Sequence, residues 1–427
     1  MAQLWRRWHR QWHSSVVAAL RSTHLPVDVL LDRQQPLLSR IYRWIVTCKR
    51  QRESSCKERV APSHVPVLSV GNVTFGATGK TPFVQFLLHY LLKQQETKGR
   101  VPLVLSRGYG DDEWRMLHQQ FPTCHVALGG DRVAAGAAKV KELGEDTALL
   151  SCVVLDDGLQ QWRVAKDLEI VMVDALCPLG NGLLLPCGSL RELPRDAFAR
   201  ADVVVLHHAT FVEKERVHEL MGSVRRLMDP RRRPIVATSH MKVTKLVRVN
   251  EVLSSPTSGG DSFEHVGVKR DGRVCVDGRF GLIVCGVGNP ESVKRVVEQW
   301  ARWAHVELRA FPDHHAFSQG DVHDLLERVR EIQRFESLVV VTTEKDFARS
   351  PVAMQLLAAK VDLRVLHCEL ELLYNRQQVE RRIDSCFSKV AGSHGTPGKI
   401  VEACLQTPFA VRCMDLAPPC ICPVRRL

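Results

Sequence analysis

Six consecutive residues constrain this chain more than any others: Gly76, Ala77, Thr78, Gly79, Lys80 and Thr81. They follow an apolar run at 65–70 that reads as a strand, and they precede a helical pattern from Pro82 to Lys93. Glycines let successive backbone N–H groups face an anion, and the helix N-terminus behind them adds positive dipole. Lys80 then reaches the β- and γ-phosphates of a nucleotide, and Thr81 ligates Mg²⁺. Thr74 stands where the usual phosphate loop has its first glycine. Pro82 fits the first helical turn, where its missing N–H forgoes no intrahelical bond. A chance turn is the bland alternative, but it explains neither the strand before nor the helix after.

The rest of the chain repeats the same grammar. Short apolar runs at 65–70, 101–105, 152–155, 168–173 and 202–206 alternate with helical stretches such as 133–143. Such alternation implies βαβ units and a mainly parallel sheet. Residues 251–280 break the pattern with Ser254-Ser255-Pro256 and Ser258-Gly259-Gly260, which reads as a linker. Further strands are expected at 281–286 and 337–342, and the pattern decays after 385. The fold class is α/β: a phosphate-loop NTPase-type, mainly parallel sheet at 61–250, a linker at 251–280, a second, smaller α/β domain at 281–385, and a poorly ordered tail at 386–427.

Charge and cysteine usage exclude several classes. Of the net charge of +12, residues 1–60 carry +8, from 12 Lys+Arg against 4 Asp+Glu. Nucleic-acid binding calls for a basic folded face, whereas this charge is terminal. Residues 1–30 are Arg-rich, contain serines and have no acid before Asp28, which suits a transit peptide, mitochondrial or plastid; a frayed basic helix is the alternative. Within 31–60, Leu37, Leu38, Ile41, Trp44 and Ile45 fall on one helical face beside arginines. That pattern fits a helix lying on an anionic membrane surface, or packing against the body. No apolar run is long enough to span a bilayer. The 14 cysteines are scattered without CxxC or zinc spacing, consistent with free thiols in a reducing compartment.

A second chemical signal is Asp156-Asp157 after the apolar run 152–155. Carboxylates at the carboxyl end of a sheet strand face the ligand crevice, where one can hold Mg²⁺ directly or through water.

These residues resemble a known family. Val70-Gly71-Asn72-Val73-Thr74 leading to Gly79-Lys80-Thr81-Pro82 looks like tetraacyldisaccharide 4'-kinase, the lipid A pathway kinase. Ser106-Arg107-Gly108-Tyr109-Gly110, Leu155-Asp156-Asp157-Gly158-Leu159-Gln160 and Gly188-Ser189-Leu190-Arg191-Glu192 agree with it. So do Gly286-Val287-Gly288-Asn289-Pro290, Phe311-Pro312-Asp313-His314-His315 and Thr342-Thr343-Glu344-Lys345-Asp346. The resemblance covers roughly residues 35–375 and includes the threonine at the first loop position.

The resemblance implies ATP-dependent, Mg²⁺-assisted phosphorylation of the 4'-hydroxyl of an acylated disaccharide 1-phosphate lipid at a membrane surface. By the same resemblance, Gly76, Ala77, Thr78, Gly79, Lys80 and Thr81 hold the nucleotide, and Thr81, Asp156, Asp157 and Glu192 form the metal shell. Lys80 and Arg191 are catalytic cations, Asp112 is the base and His314 its partner from the second domain. Arg107, Tyr109 and Asn289 are expected to contact substrate. The chain departs from the family in two ways: Asp112 follows Tyr109 almost at once, without the usual spacer, and Trp114 replaces a proline. Asp131 is the second choice for the base. The rivals are a kinase of the same loop type acting on a soluble acceptor, and a nucleotide-binding module disabled by the shortened 110–114 loop. The transit-like start points to a mitochondrial protein peripheral to a membrane. The sequence leaves the oligomeric state open.

Overall fold

A computed structural model of the chain describes residues 33–62, 65–95, 99–108, 111–249, 276–333 and 337–391. The transit-like start, most of the proposed linker, and the tail beyond 391 lie outside the described residues. Helix α1 (Leu37–Ser55) leads into β1 (Val67–Asn72), α2 (Lys80–Gln95), β2 (Val101–Ser106), α3 (Asp111–Gln120), β3 (His125–Leu128), α4 (Arg132–Leu143) and β4 (Leu150–Asp156). Then come β5 (Leu168–Asp174), α5 (Pro194–Phe198), β6 (Val203–His207), α6 (Lys214–Leu227) and β7 (Ile235–Arg248). The second half runs β8 (Phe280–Cys285), α7 (Pro290–Trp300), β9 (His305–Ala310), α8 (Gln319–Gln333), β10 (Leu338–Thr343), α9 (Glu344–Arg349), α10 (Pro351–Ala358), β11 (Leu363–Tyr374) and α11 (Arg376–Ala391).

The strands form one 11-stranded sheet in the order β3-β2-β4-β1-β5-β6-β7-β11-β10-β8-β9. Every neighbouring pair is parallel except β7 and β11. That antiparallel pair, running from Arg364 opposite Arg248 to Tyr374 opposite Thr238, joins the two halves edge to edge. The halves are thus lobes of a continuous sheet. The final helix strengthens this union: Val379, Ile383 and Cys386 of α11 pack into the same core as Leu68 of β1 and Leu87 of α2. Helix α11 therefore runs past residue 385 and closes over the first half rather than the second.

Central strands are apolar because both faces are covered. Every residue of β1, β4 and β5 is buried, the expectation for parallel strands between two helical layers. Helix α2 buries Phe83, Val84, Leu87, Leu88 and Leu91, a single stripe at helical spacing. Removing one such side chain, as in Leu87→Ala, costs about 2–5 kcal/mol through lost burial and the cavity left behind. From β1 the chain turns to one side for β2, β3 and β4, and to the other for β5, β6 and β7. A crevice opens at the carboxyl ends where the order diverges, the place where open α/β sheets bind ligands.

Candidate active site

The phosphate loop occupies that crevice. It spans 73–79, between the end of β1 and the first residue of α2, Lys80. Asn72 braces it from below: its Nδ2 donates to Thr74 O at 2.6 Å and Thr78 Oγ1 at 3.0 Å. Gly79 takes φ +84°, and a β-carbon there would lie 2.5 Å from the His207 ring, so only glycine fits. His207, at the end of β6, is buried and shares a hydrogen bond with Ser239 Oγ at 2.9 Å. Burial, with His208 and His240 nearby, pushes its basicity well down, so the ring is neutral under the loop.

Beside the loop, β4 delivers the two aspartates. Asp156 is buried and accepts from Ser106 Oγ at 3.2 Å. Asp157 follows with φ +54°, a left-handed residue that turns its carboxylate back over the loop. There Arg191 Nη1 donates to both Asp157 oxygens, at 2.7 and 2.9 Å, and Lys80 Nζ stands 3.7 Å away. Burial alone would raise the pKa of Asp157, but Lys80 and Arg191 outweigh it and hold it down to about 2. Arg191 also lies over the Phe75 ring, 4.5 Å from its centroid.

The segment bearing Arg191 pairs with the phosphate loop itself. Phe75 N donates to Ser189 O at 2.8 Å, Arg191 N donates to Val73 O at 2.8 Å, and Thr74 bridges Leu190 antiparallel. Its neighbour Glu192 points elsewhere. Arg200 Nη2 donates to both Glu192 oxygens at 3.0 and 2.8 Å, Arg50 stands 3.6 Å away, and Gln160 links Glu192 to Asn72 O. Among the described residues, no three His, Cys, Asp or Glu side chains cluster in a way that could hold a metal ion. The expected three-carboxylate shell is therefore not gathered, because Glu192 is spent on two arginines. Asp156 and Asp157 still suit Mg²⁺, which needs only one or two carboxylates when phosphates and waters supply the rest.

The motif Gly129-Gly130-Asp131-Arg132 splits between two roles. Asp131 caps α4, accepting from Val133 N and Ala134 N, and pairs with Arg163 at 3.1 Å. Arg132 is the inward-facing residue that sequence reading passed over. It is 1% exposed and its Nη2 donates to Asp156 O at 3.2 Å. The signal that could have found it is an arginine directly after a capping aspartate, at the head of a helix facing the crevice.

The second half meets the loop through residues 286–289. A β-carbon on Gly288 would touch Ala77 N at 3.2 Å, so the two backbones nearly abut. Asn289 is buried, not open to solvent: its Oδ1 caps α7 at Ser292 N, and its Nδ2 donates to Asp174 Oδ2 at 3.1 Å. Asp174 in turn pairs with His208 Nδ1 at 3.0 Å. His314 sits in the next loop, with φ +59°, its N donating to Gly286 O at 3.1 Å and its ring 3.9 Å from Asp313. Asp346 is fully buried and accepts from Gly286 N at 3.0 Å; burial raises its pKa against the pull of Thr343, that N–H and Arg349. Arg107 is exposed after β2. Asp112 lies in the first turn of α3, which packs against α9 of the second half. The side chain of Asp112, and Tyr109 entirely, lie outside the described residues.

Comparison with known proteins places the chain in a family. The family model described as tetraacyldisaccharide-1-P 4'-kinase matches residues 35–115 and 110–388. A probable mitochondrial tetraacyldisaccharide 4'-kinase of Arabidopsis thaliana is 31% identical over 72% of this chain and 78% of its own length. A tetraacyldisaccharide 4'-kinase of Anaeromyxobacter sp. (strain K) is 32% identical over 76% of this chain and 82% of its own. The crystal structure of LpxK from Aquifex aeolicus in complex with ATP shares the fold, with a TM-score of 0.51 and 20% identity over 82% of this chain and 97% of that one. With most of its length matched by the family model and by relatives at this level of identity, the chain belongs to the tetraacyldisaccharide 1-phosphate 4'-kinase family.

Proposed function

We propose that this protein transfers the γ-phosphoryl group of ATP to the 4'-hydroxyl of a tetraacylated glucosamine disaccharide 1-phosphate. The observation that carries the reading is the convergence of Lys80 and Arg191 on Asp157 at the mouth of a glycine loop. Phosphoryl transfer asks mainly for positioning and for fixed positive charge where negative charge develops. Lys80, Arg191 and the N-terminal N–H groups of α2 supply that charge without reorganising. Thr81, Asp156 and Asp157 are the residues that would hold Mg²⁺, which when bound neutralises phosphate oxygens. Glu192 acts behind them, as the anchor of Arg200 and Arg50.

On the acceptor side, Asp112 takes the proton of the attacking hydroxyl and His314 orients or shares it across the lobes. Support comes from α3 packing on α9 and from the loops of the second half abutting the phosphate loop. Arg107 is suited to the substrate's 1-phosphate, since a guanidinium binds phosphate bidentately. Asn289 acts indirectly, by fixing the loop at 286–289.

The lipid is reached through α1. Ser39 and Tyr42 face the body, while Leu37, Leu38, Ile41, Trp44 and Ile45 are 49–69% exposed on the other face. No helix among the described residues is long and apolar enough to cross a membrane. The exposed apolar face supports a helix that lies on the membrane surface, apolar side down. The mitochondrial name of the Arabidopsis relative and the Arg-rich start support a mitochondrial address. Incubation with γ-labelled ATP and the tetraacyl disaccharide 1-phosphate should label the 4' position of the sugar; label confined to released phosphate would reject the assignment.

A further inference from the structure

Helix α1 does more than present an apolar face outward. Its inner face is hydrogen-bonded to the segment that lines the phosphate loop. Ser39 Oγ donates to Leu184 O at 2.7 Å. Just before the helix, Gln35 bonds Gly182 O and Leu184 N at 2.9 and 2.8 Å. Near its far end, Arg50 pairs with Asp196 at 2.9 Å. Between these anchors, Tyr42 OH donates to the backbone carbonyl of Arg191 at 2.9 Å.

That last bond reaches the site directly. The Arg191 backbone is held from both sides, by its own N–H on Val73 O and by Tyr42 on its carbonyl. The guanidinium it carries sets Asp157 and covers Phe75. A shift of the Arg191 backbone would therefore move a charge that must meet the phosphates. Displacements of about an ångström suffice to cost a catalytic step on the order of a hundredfold.

We infer that Tyr42 is a positioning residue for phosphoryl transfer, through its hydroxyl's hold on the Arg191 carbonyl. The helix that meets the lipid and the arginine that meets the phosphates thus form one mechanical unit. The inference rests on the catalytic role proposed above for Arg191.

Tyr42→Phe tests it, because the ring and its packing remain and only the hydroxyl leaves. Turnover of the full chain with ATP and detergent-dispersed tetraacyl disaccharide 1-phosphate should fall about tenfold, with the KM for ATP little changed. Ser39→Ala removes an anchor of the same helix that does not touch Arg191, and its turnover should stay within about twofold of the original. The double variant Tyr42→Phe with Arg191→Lys should lose little more than Arg191→Lys alone, since residues acting as a unit are non-additive. Equal losses in Tyr42→Phe and Ser39→Ala, or full multiplicativity with Arg191→Lys, would overturn the inference. So would an unchanged rate in Tyr42→Phe while Arg191→Lys is impaired. An unchanged rate in Arg191→Lys would instead overturn the role of Arg191, and the inference with it.

Discussion

The ring of His207 lies so close beneath Gly79 that a β-carbon on the glycine would sit 2.5 Å from it. The floor of the phosphate loop is thus a buried imidazole from β6, two strands over from β1, not open space. Gly79→Ala must both hold a left-handed backbone and displace that ring. We expect a stability loss of about 1–3 kcal/mol from the backbone alone and loss of ATP binding, read by denaturant unfolding and by nucleotide titration. Retention of normal ATP affinity would show that the loop does not cradle the phosphates.

His207 also makes stability depend on pH. Burial keeps it neutral in the folded protein, while in the unfolded chain it titrates near its ordinary value of about 6.5. A group with depressed folded basicity contributes its full stability above the unfolded value and loses it as pH falls below. Stability should therefore drop from about pH 6.5 downward, by up to about 1.4 kcal/mol per pH unit from this residue. His207→Gln, which can still bond Ser239, should flatten that slope in unfolding curves between pH 8 and 5. Parallel slopes would mean that the ring is protonated in place.

Glu192 offers a clean choice between two roles. As the anchor of Arg200 and Arg50 it is a buried ion-pair hub, its side chain 1% exposed. Glu192→Gln should then cost about 3 kcal/mol of stability, with the Mg²⁺ concentration for half-maximal activity unchanged. A raised Mg²⁺ requirement with unchanged stability would restore it to the metal shell.

The outward face of α1 can be tested without touching the site. Trp44 and Ile45 are 68% and 52% exposed, so replacing both by Asp should leave the melting temperature alone. Co-sedimentation with anionic vesicles should fall by at least about tenfold, given roughly 1.5–3 kcal/mol for each large apolar side chain taken from water. Equal sedimentation of both forms would remove the membrane role from this helix.

Strands β1, β2, β4, β5, β6, β8 and β10 were legible because each carries a continuous apolar run: 152–155 lies inside β4 and 168–173 inside β5. β3, β7, β9 and β11 were not. Along Thr238 to Arg248, polar and charged residues alternate with apolar ones as the strand leaves the buried sheet, and β9 is an edge strand with half its residues at the surface. The pairing of β7 with β11 that fuses the lobes links residues more than 100 positions apart, beyond any local pattern. The same limit applies to the site. Lys80 and Asp157 could be placed from their flanking strands. The hold of Asn289 on Asp174 and of Tyr42 on Arg191 spans 115 and 149 positions, so their roles emerged only from the packed chain.

In the function proposed above, Lys80, facing Asp157 across the phosphate loop, supplies charge for transfer from ATP to the lipid sugar. The direct measurement is the initial rate of label transfer from γ-labelled ATP to tetraacyl disaccharide 1-phosphate, with the original chain and with Lys80→Ala side by side. We expect transfer to the 4'-hydroxyl by the original chain, and a loss on the order of 10²-fold or more in the variant. Equal rates in the two proteins, or no transfer by the original chain, would contradict it.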